Sequence, residues 1–416
     1  MGRAAHLIAI ALVLGGCGVF AEAGMGGIDG SGPGRSVTGR AVQVRWRQQL
    51  TPDYEGAYVP LERGSAALAP SHDRVYVGSS AGVLWALSAT GTRIYSYDAG
   101  GGIMAQPALD VAADQLFVAT EDGVLHMLTA SSGELRWRAE LGGSVSQPPL
   151  LTDDAVYVVT DSDVVTAFAR ETGEALWRYR RDAPEGFFVS HHAGLTLVGG
   201  RLLTAFTAGV VVALDPTDGS LLWERDTSVE LEPAAEGAPR FADVDTTPLV
   251  IGDTVYVASF AGGLYALELE SGTVRWRDEE LTGVIGIEPA GDRLLVLSSG
   301  DLGVVCVDRF DRNVLWRKRI PRGAPGEAVV ARDLVLVGES QGGFVTLALQ
   351  TGRELGRFET GHGFSARASV ADGRGFVLSN GGTLYAFALP GRGRGGGFAP
   401  VPPPEIWAKL LGRWIT

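Results

Sequence analysis

Residues 240–277 read RFADVDTTPLVIGDTVYVASFAGGLYALELESGTVRWR. The short β-branched run Leu249-Val250-Ile251 ends at Gly252-Asp253. Val255–Ser259 follows, then a Gly262-Gly263 turn, then Leu264-Tyr265-Ala266-Leu267. Ser271-Gly272 turns the chain into Val274-Arg275-Trp276. Short β-rich runs parted by glycine turns predict an antiparallel meander, and no part of the stretch has helical period.

The same unit recurs on both sides. Upstream copies centre on Val75-Tyr76-Val77, Leu116-Phe117-Val118, Val156-Tyr157-Val158 and Leu202-Leu203-Thr204; downstream copies centre on residues 294–297, 334–337 and 376–378. Most copies end in a turn and a tryptophan strand, and six tryptophans (46, 137, 177, 223, 276, 316) share that last position. We read these rings as packing between neighbouring units. The eighth copy lacks a closing strand, whereas Val42–Arg47, ahead of the first copy, has the form of one. The pattern predicts an all-β fold: an eight-bladed β-propeller of four-stranded antiparallel blades, closed by the N-terminal strand joining the last blade. Such closure removes exposed sheet edges. Seven blades and a degenerate sheet is the competing arrangement.

The chain has 416 residues, 45% of them hydrophobic, a formal net charge of −13 and a pI near 5.0, enough to build a large core and unsuited to a nucleic-acid partner. Arg3 precedes an apolar run over residues 7–14 and then Gly15-Gly16-Cys17. A basic start, a short apolar stretch and small residues mark an export signal over residues 1–16. Leu14-Gly15-Gly16-Cys17 resembles the lipobox of bacterial lipoproteins, which implies lipidation of Cys17; an ordinary signal peptide is the alternative. Cys306 stands in the apolar run Val304–Val307 and reads as a small core residue, so no disulfide to Cys17 is expected. Residues 17–40, rich in Gly and Ser, read as a flexible tether with a reach of roughly 25 Å. The propeller occupies 41–390, a Gly/Arg/Pro-rich linker 391–405, and a short amphipathic tail 406–416. In the tail Trp407, Leu410, Leu411, Trp414 and Ile415 share a helical period, suited to a lipid interface or a protein groove.

Several catalytic patterns fail on context. Gly78-Ser79-Ser80-Ala81-Gly82 fits G-x-S-x-G but falls in a hairpin turn, not on a strand-to-helix elbow. Residues 391–396 fit G-x-G-x-x-G without the flanking strand and helix. His191-His192 lacks the accompanying ligands of a metal motif. No catalytic residue, metal or cofactor is expected.

The Ala266-Leu267…Ser271-Gly272…Trp276 phrase, as Ala-Leu…Thr-Gly-x-x-x-Trp in other copies, resembles the repeat shared by pyrroloquinoline-quinone (PQQ) dehydrogenases and their non-enzymatic relatives. That likeness implies the fold and leaves open a quinoprotein dehydrogenase, although no vicinal cysteine pair or evident calcium-binding carboxylate cluster accompanies it. Two connections are long, those after Trp177 and after Trp223, and both must cross one face at consecutive blade junctions. The second ends in Asp243-Val244-Asp245-Thr246-Thr247-Pro248, a motif no other copy has. Residues 240–248, with the lipobox, tether and eight blades in the same order, resemble the BamB family of outer-membrane assembly lipoproteins. The resemblance implies a non-enzymatic scaffold, a monomer within a complex. It would be anchored by lipid to the periplasmic face of the outer membrane and bind the POTRA domains of the barrel-inserting subunit, BamA. It carries Asp243 and Asp245 over as partner-binding residues. In the loop after the third blade, Phe187, Phe188 and Val189 offer an apolar anchor, without the arginine the family has there. Another periplasmic partner remains the alternative.

Overall fold

The computed structural model describes residues 42–51, 61–69, 73–181, 192–230 and 243–390. The signal segment, the tether, Phe187, Phe188, Val189, the linker and the tail lie outside the described residues. Within them, eight four-stranded antiparallel sheets stand side by side around an axis. In the fifth, Leu249–Ile251, Thr254–Ser259, Gly263–Glu268 and Val274–Asp278 pair in sequence order from the axis outward. The innermost strands are only two or three residues long in most blades, because little space remains near the axis.

The eighth sheet is completed as the sequence predicts. Gln43–Gln49 pairs antiparallel with Thr383–Ala388, outside Arg374–Leu378 and Ser369–Ala371. Trp46 stands opposite Ala386, as Trp223 stands opposite Ala213 and Trp276 opposite Ala266. The N-terminal strand therefore occupies the register of any other outermost strand.

Each core cluster spans two blades. Leu203, Val211 and Ala213 of blade 4 pack on Val255, Val257 and Tyr265 of blade 5, with Trp223 between them. The middle strands are buried on both faces, which is why they read as unbroken apolar runs and not as alternation. Cys306 is fully buried among them, and burial pushes its thiol up to about 11. At the rim the tryptophans join the blades. Trp46, Trp137, Trp177, Trp223 and Trp316 donate Nε1–H to the carbonyls of Ala89, Arg170, Pro216, Leu269 and Leu349 in the next blade. In blade 1 Tyr95 takes this part, its hydroxyl donating to Ala130.

Candidate partner-binding site at the junction of blades 3 to 5

The two long connections leave the described residues at Arg181 and Glu230 and return at His192 and Asp243. Their returning ends are fastened together. Gly194 N–H donates to Thr247 Oγ1 (2.9 Å), and Thr196 Oγ1 donates to the Pro248 carbonyl (2.7 Å). Gln147 of blade 3 reaches the His192 carbonyl through Nε2 (2.7 Å). Three successive blades are thus tied at their innermost ends.

The Asp243–Pro248 motif continues this fastening. Val244 bridges to Ser259 and its side chain enters the core between blades 4 and 5. The Asp243 carbonyl accepts Phe260 N–H (2.8 Å), and Thr246 Oγ1 accepts Ala258 N–H (2.8 Å). Asp243 Oδ1 accepts Ala208 N–H (3.3 Å), from a residue in the left-handed region (φ 68°). On the other side of the same turn, Asp163 accepts both the N–H and the hydroxyl of Thr207 (3.2 and 2.5 Å). The Thr207–Gly209 turn of blade 4 is therefore held by an aspartate from each neighbouring blade.

The family resemblance implied that Asp243 and Asp245 contact a partner. In the fold both are buried, at 3% and 5% exposure, with Asp163 at 1%. The physical reason is the bridge of Val244 to Ser259, which draws the segment down onto blade 5 and brings the blade 4 turn against it. Asp245 Oδ2 is buried and has no hydrogen-bond partner. Burial, and then the neighbouring Asp243 charge, raise the Asp245 carboxyl from its usual range to about 8. Asp163 is also raised by burial, against the lowering effect of its bonds to Thr207. His192 is held down by burial, opposed by Asp161, Asp163 and Asp243. A neutral Asp245 beside Asp243 is what two adjacent carboxyls in little solvent should adopt.

Asp163, Thr207 and His192 were not singled out as site residues. The signal for Asp163 was present: it occupies, at φ 55°, the turn position that Gly123 and Gly263 hold in other blades. The G-x-S-x-G serine, Ser80, is held in its hairpin turn by Glu62, whose carboxylate accepts both its N–H (2.8 Å) and its hydroxyl (2.7 Å). Among the described residues no group of three or more His, Cys, Asp or Glu is arranged to hold a metal.

Eight four-stranded blades, a recurring Ala-Leu…Thr-Gly…Trp phrase and closure by the first strand define a β-propeller of PQQ-like repeats. Residues 102–318 and 300–394 match the family described as outer membrane protein assembly factor BamB, and the chain belongs to that family. It is 27% identical over 284 residues to the BamB of Shewanella oneidensis, covering 68% of this chain and 71% of that one. With the BamB of Burkholderia pseudomallei it shares 28% identity over 321 residues, 76% of this chain and 82% of the relative. The crystal structure of BamB from Moraxella catarrhalis superposes with a TM-score of 0.70 at 23% identity, over 84% of this chain and 100% of that one. A quinohemoprotein alcohol dehydrogenase of Pseudomonas putida HK5 gives 0.62 at 14% identity, over 87% of this chain and 78% of that one; this likeness is of fold alone.

Proposed function

We propose that the chain is a non-enzymatic lipoprotein of the outer-membrane β-barrel assembly machinery, anchored through Cys17 on the periplasmic face. In this reading it binds the POTRA domains of a BamA-like subunit at the junction of blades 3 to 5. The observation that supports this most is the fastening of that junction. The returning ends of two long connections are bonded to each other there, and buried aspartates hold the blade 4 turn from both sides. A rigid platform under loops is how a fixed scaffold presents a binding surface. Asp243 and Asp245 then act as positioning residues for that surface, and Phe187, Phe188 and Val189 serve as its apolar anchor.

The test is affinity capture from solubilised membranes with the lipidated chain as bait. Phe187→Ala with Phe188→Ala should reduce recovery of a POTRA-bearing barrel protein at least about tenfold, the usual size of losing one or two anchors. Asp243→Asn should weaken capture less and lower the unfolding temperature, since it disturbs the platform. Undiminished capture by the double phenylalanine variant would refute the assignment of this face. Recovery of a different partner by the wild-type chain, or quinone-dependent dye reduction by the pure protein, would refute the function.

A further inference from the structure

The rim of the ring carries a charge pattern that the acidic composition conceals. In every blade but the seventh, where Gly356 holds the position, the outermost strand presents two side chains that flank the closing aromatic. From blade 8 through blade 3 these pairs are Arg45 and Arg47, Ile94 and Ser96, Arg136 and Arg138, Leu176 and Arg178, with Arg180 beyond the last. The blades follow one another without a gap. Trp46 bonds to Ala89 of blade 1, Tyr95 to Ala130 of blade 2 and Trp137 to Arg170 of blade 3. All six of these arginines are exposed, as are Ile94, Leu135 and Leu176.

Elsewhere on the rim most corresponding cations are neutralised. Arg275 meets Asp253, Arg277 meets Glu279, and Arg357 meets Glu354 and Glu339. Among the described residues Arg45, Arg136, Arg138 and Arg180 form no ion pair. Of the acids of the arc, Glu134 and Glu174 stand in the turns before their strands, and Asp98 and Glu140 end their strands at the register Arg180 holds in blade 3, so the arc is basic by excess and not free of acids. Beside Arg47 an open polar recess of about 310 Å³ is lined also by Gln49 and Thr383.

We propose that this arc is a docking surface for a bilayer bearing anionic phospholipid headgroups. Two observations favour lipid over an acidic protein. Guanidinium groups in alternation with aliphatic side chains suit phosphates above an apolar layer. The chain also enters the ring at Gln43, the start of the strand that carries Arg45 and Arg47, so an acyl group on Cys17 would tether the protein through this arc. The second observation rests on Cys17 being acylated; the charge pattern does not. Edge-on docking of this kind leaves the junction of blades 3 to 5 to a protein partner.

The full chain carrying Cys17→Ala, purified without acylation, is mixed with vesicles of phosphatidylcholine alone or of equal parts phosphatidylcholine and phosphatidylglycerol. It should sediment with the anionic vesicles only, and high salt should release it. Arg45→Gln, Arg136→Gln and Arg138→Gln together should reduce that binding at least about tenfold, with lysines at the three positions restoring most of it. Arg317→Gln, on blade 6, should have no effect, and unfolding temperature and capture of the protein partner should not change. Three results would overturn the proposal. These are indifference of the acyl-free chain to anionic vesicles, binding that survives the triple variant but is lost with residues 391–416, and loss of partner capture in place of vesicle binding. Failure of the anchor reading would show separately, as unchanged membrane fractionation of Cys17→Ser in cells.

Discussion

Asp245 is the residue at which the sequence's suggestion and the structure's physics part most clearly. Its carboxyl is neutral at pH 7 because burial disfavours the charge and Asp243 stands close by. The native group binds its proton up to about pH 8, whereas the unfolded one releases it near the ordinary value of 3.8. Between those limits the folded state holds more protons than the unfolded, so stability falls as pH rises and the full penalty is present above about pH 8. Asp245→Asn keeps the shape and removes the titration. Its unfolding free energy should match wild type near pH 4 and exceed it at pH 8.5 by on the order of 2 kcal/mol or more, as read by urea unfolding at the two pH values. Parallel pH profiles for the two proteins would show that Asp245 is ionised in the fold. The motif itself was legible because no other blade contains it. Its burial was not, since that depends on a bridge to Ser259 and on a turn from the preceding blade, which sequence spacing does not report.

At the scale of the element, the recurrent joint is a ring set on a glycine. The closing tryptophan of one blade lies over the turn of the next: Trp46 over Gly91, Trp137 over Gly173, Trp177 over Gly219, Trp223 over Gly272 and Trp316 over Gly352. At Gly272 the requirement is double. The residue has φ 67°, and a Cβ there would stand 2.5 Å from the Trp223 ring. Gly252 has nearly the same φ, 65°, and nothing within 4 Å of an added Cβ. The pair separates backbone strain from collision. Gly252→Ala should cost about 1 kcal/mol, for the conformation alone. Gly272→Ala should cost about 3 kcal/mol or more, since the ring must move as well. Urea unfolding of the two variants gives the comparison, and equal losses would mean that the ring yields freely. Tryptophan spacing made the joint legible as packing. The glycines read only as turn residues, because their second role needs the neighbouring blade. Blade 6 shows the rule relaxed: its turn has Arg312 at φ 62° where the others have glycine.

At the scale of the whole molecule, one strand decides whether the blades form a ring or a row. Gln43–Gln49 is hydrogen-bonded to the last blade, and Leu50 N–H continues the contact to the Gly382 carbonyl (2.9 Å). Trp46 faces Phe376 of blade 8 at 5.7 Å between ring centroids and donates to Ala89 of blade 1 (2.9 Å). This closure was legible from a surplus and a deficit, one unassigned tryptophan strand and one blade without it. The basic arc was not, because a cation's exposure and its distance from each acid appear only once the blades stand in order. In a closed ring every blade is covered on two sides; loosening one joint leaves two ends, each with one uncovered face. Trp46→Ala removes the bond to Ala89 and half-buried ring area, a loss of about 2–4 kcal/mol at a partly exposed site. The effect should be local in position. Amide hydrogen exchange should quicken in residues 67–98 and 369–388, which flank the joint, and change little in 196–226, across the ring. A uniform increase around all eight blades would mean that the propeller opens as a single unit, and that the closing strand stabilises every blade alike.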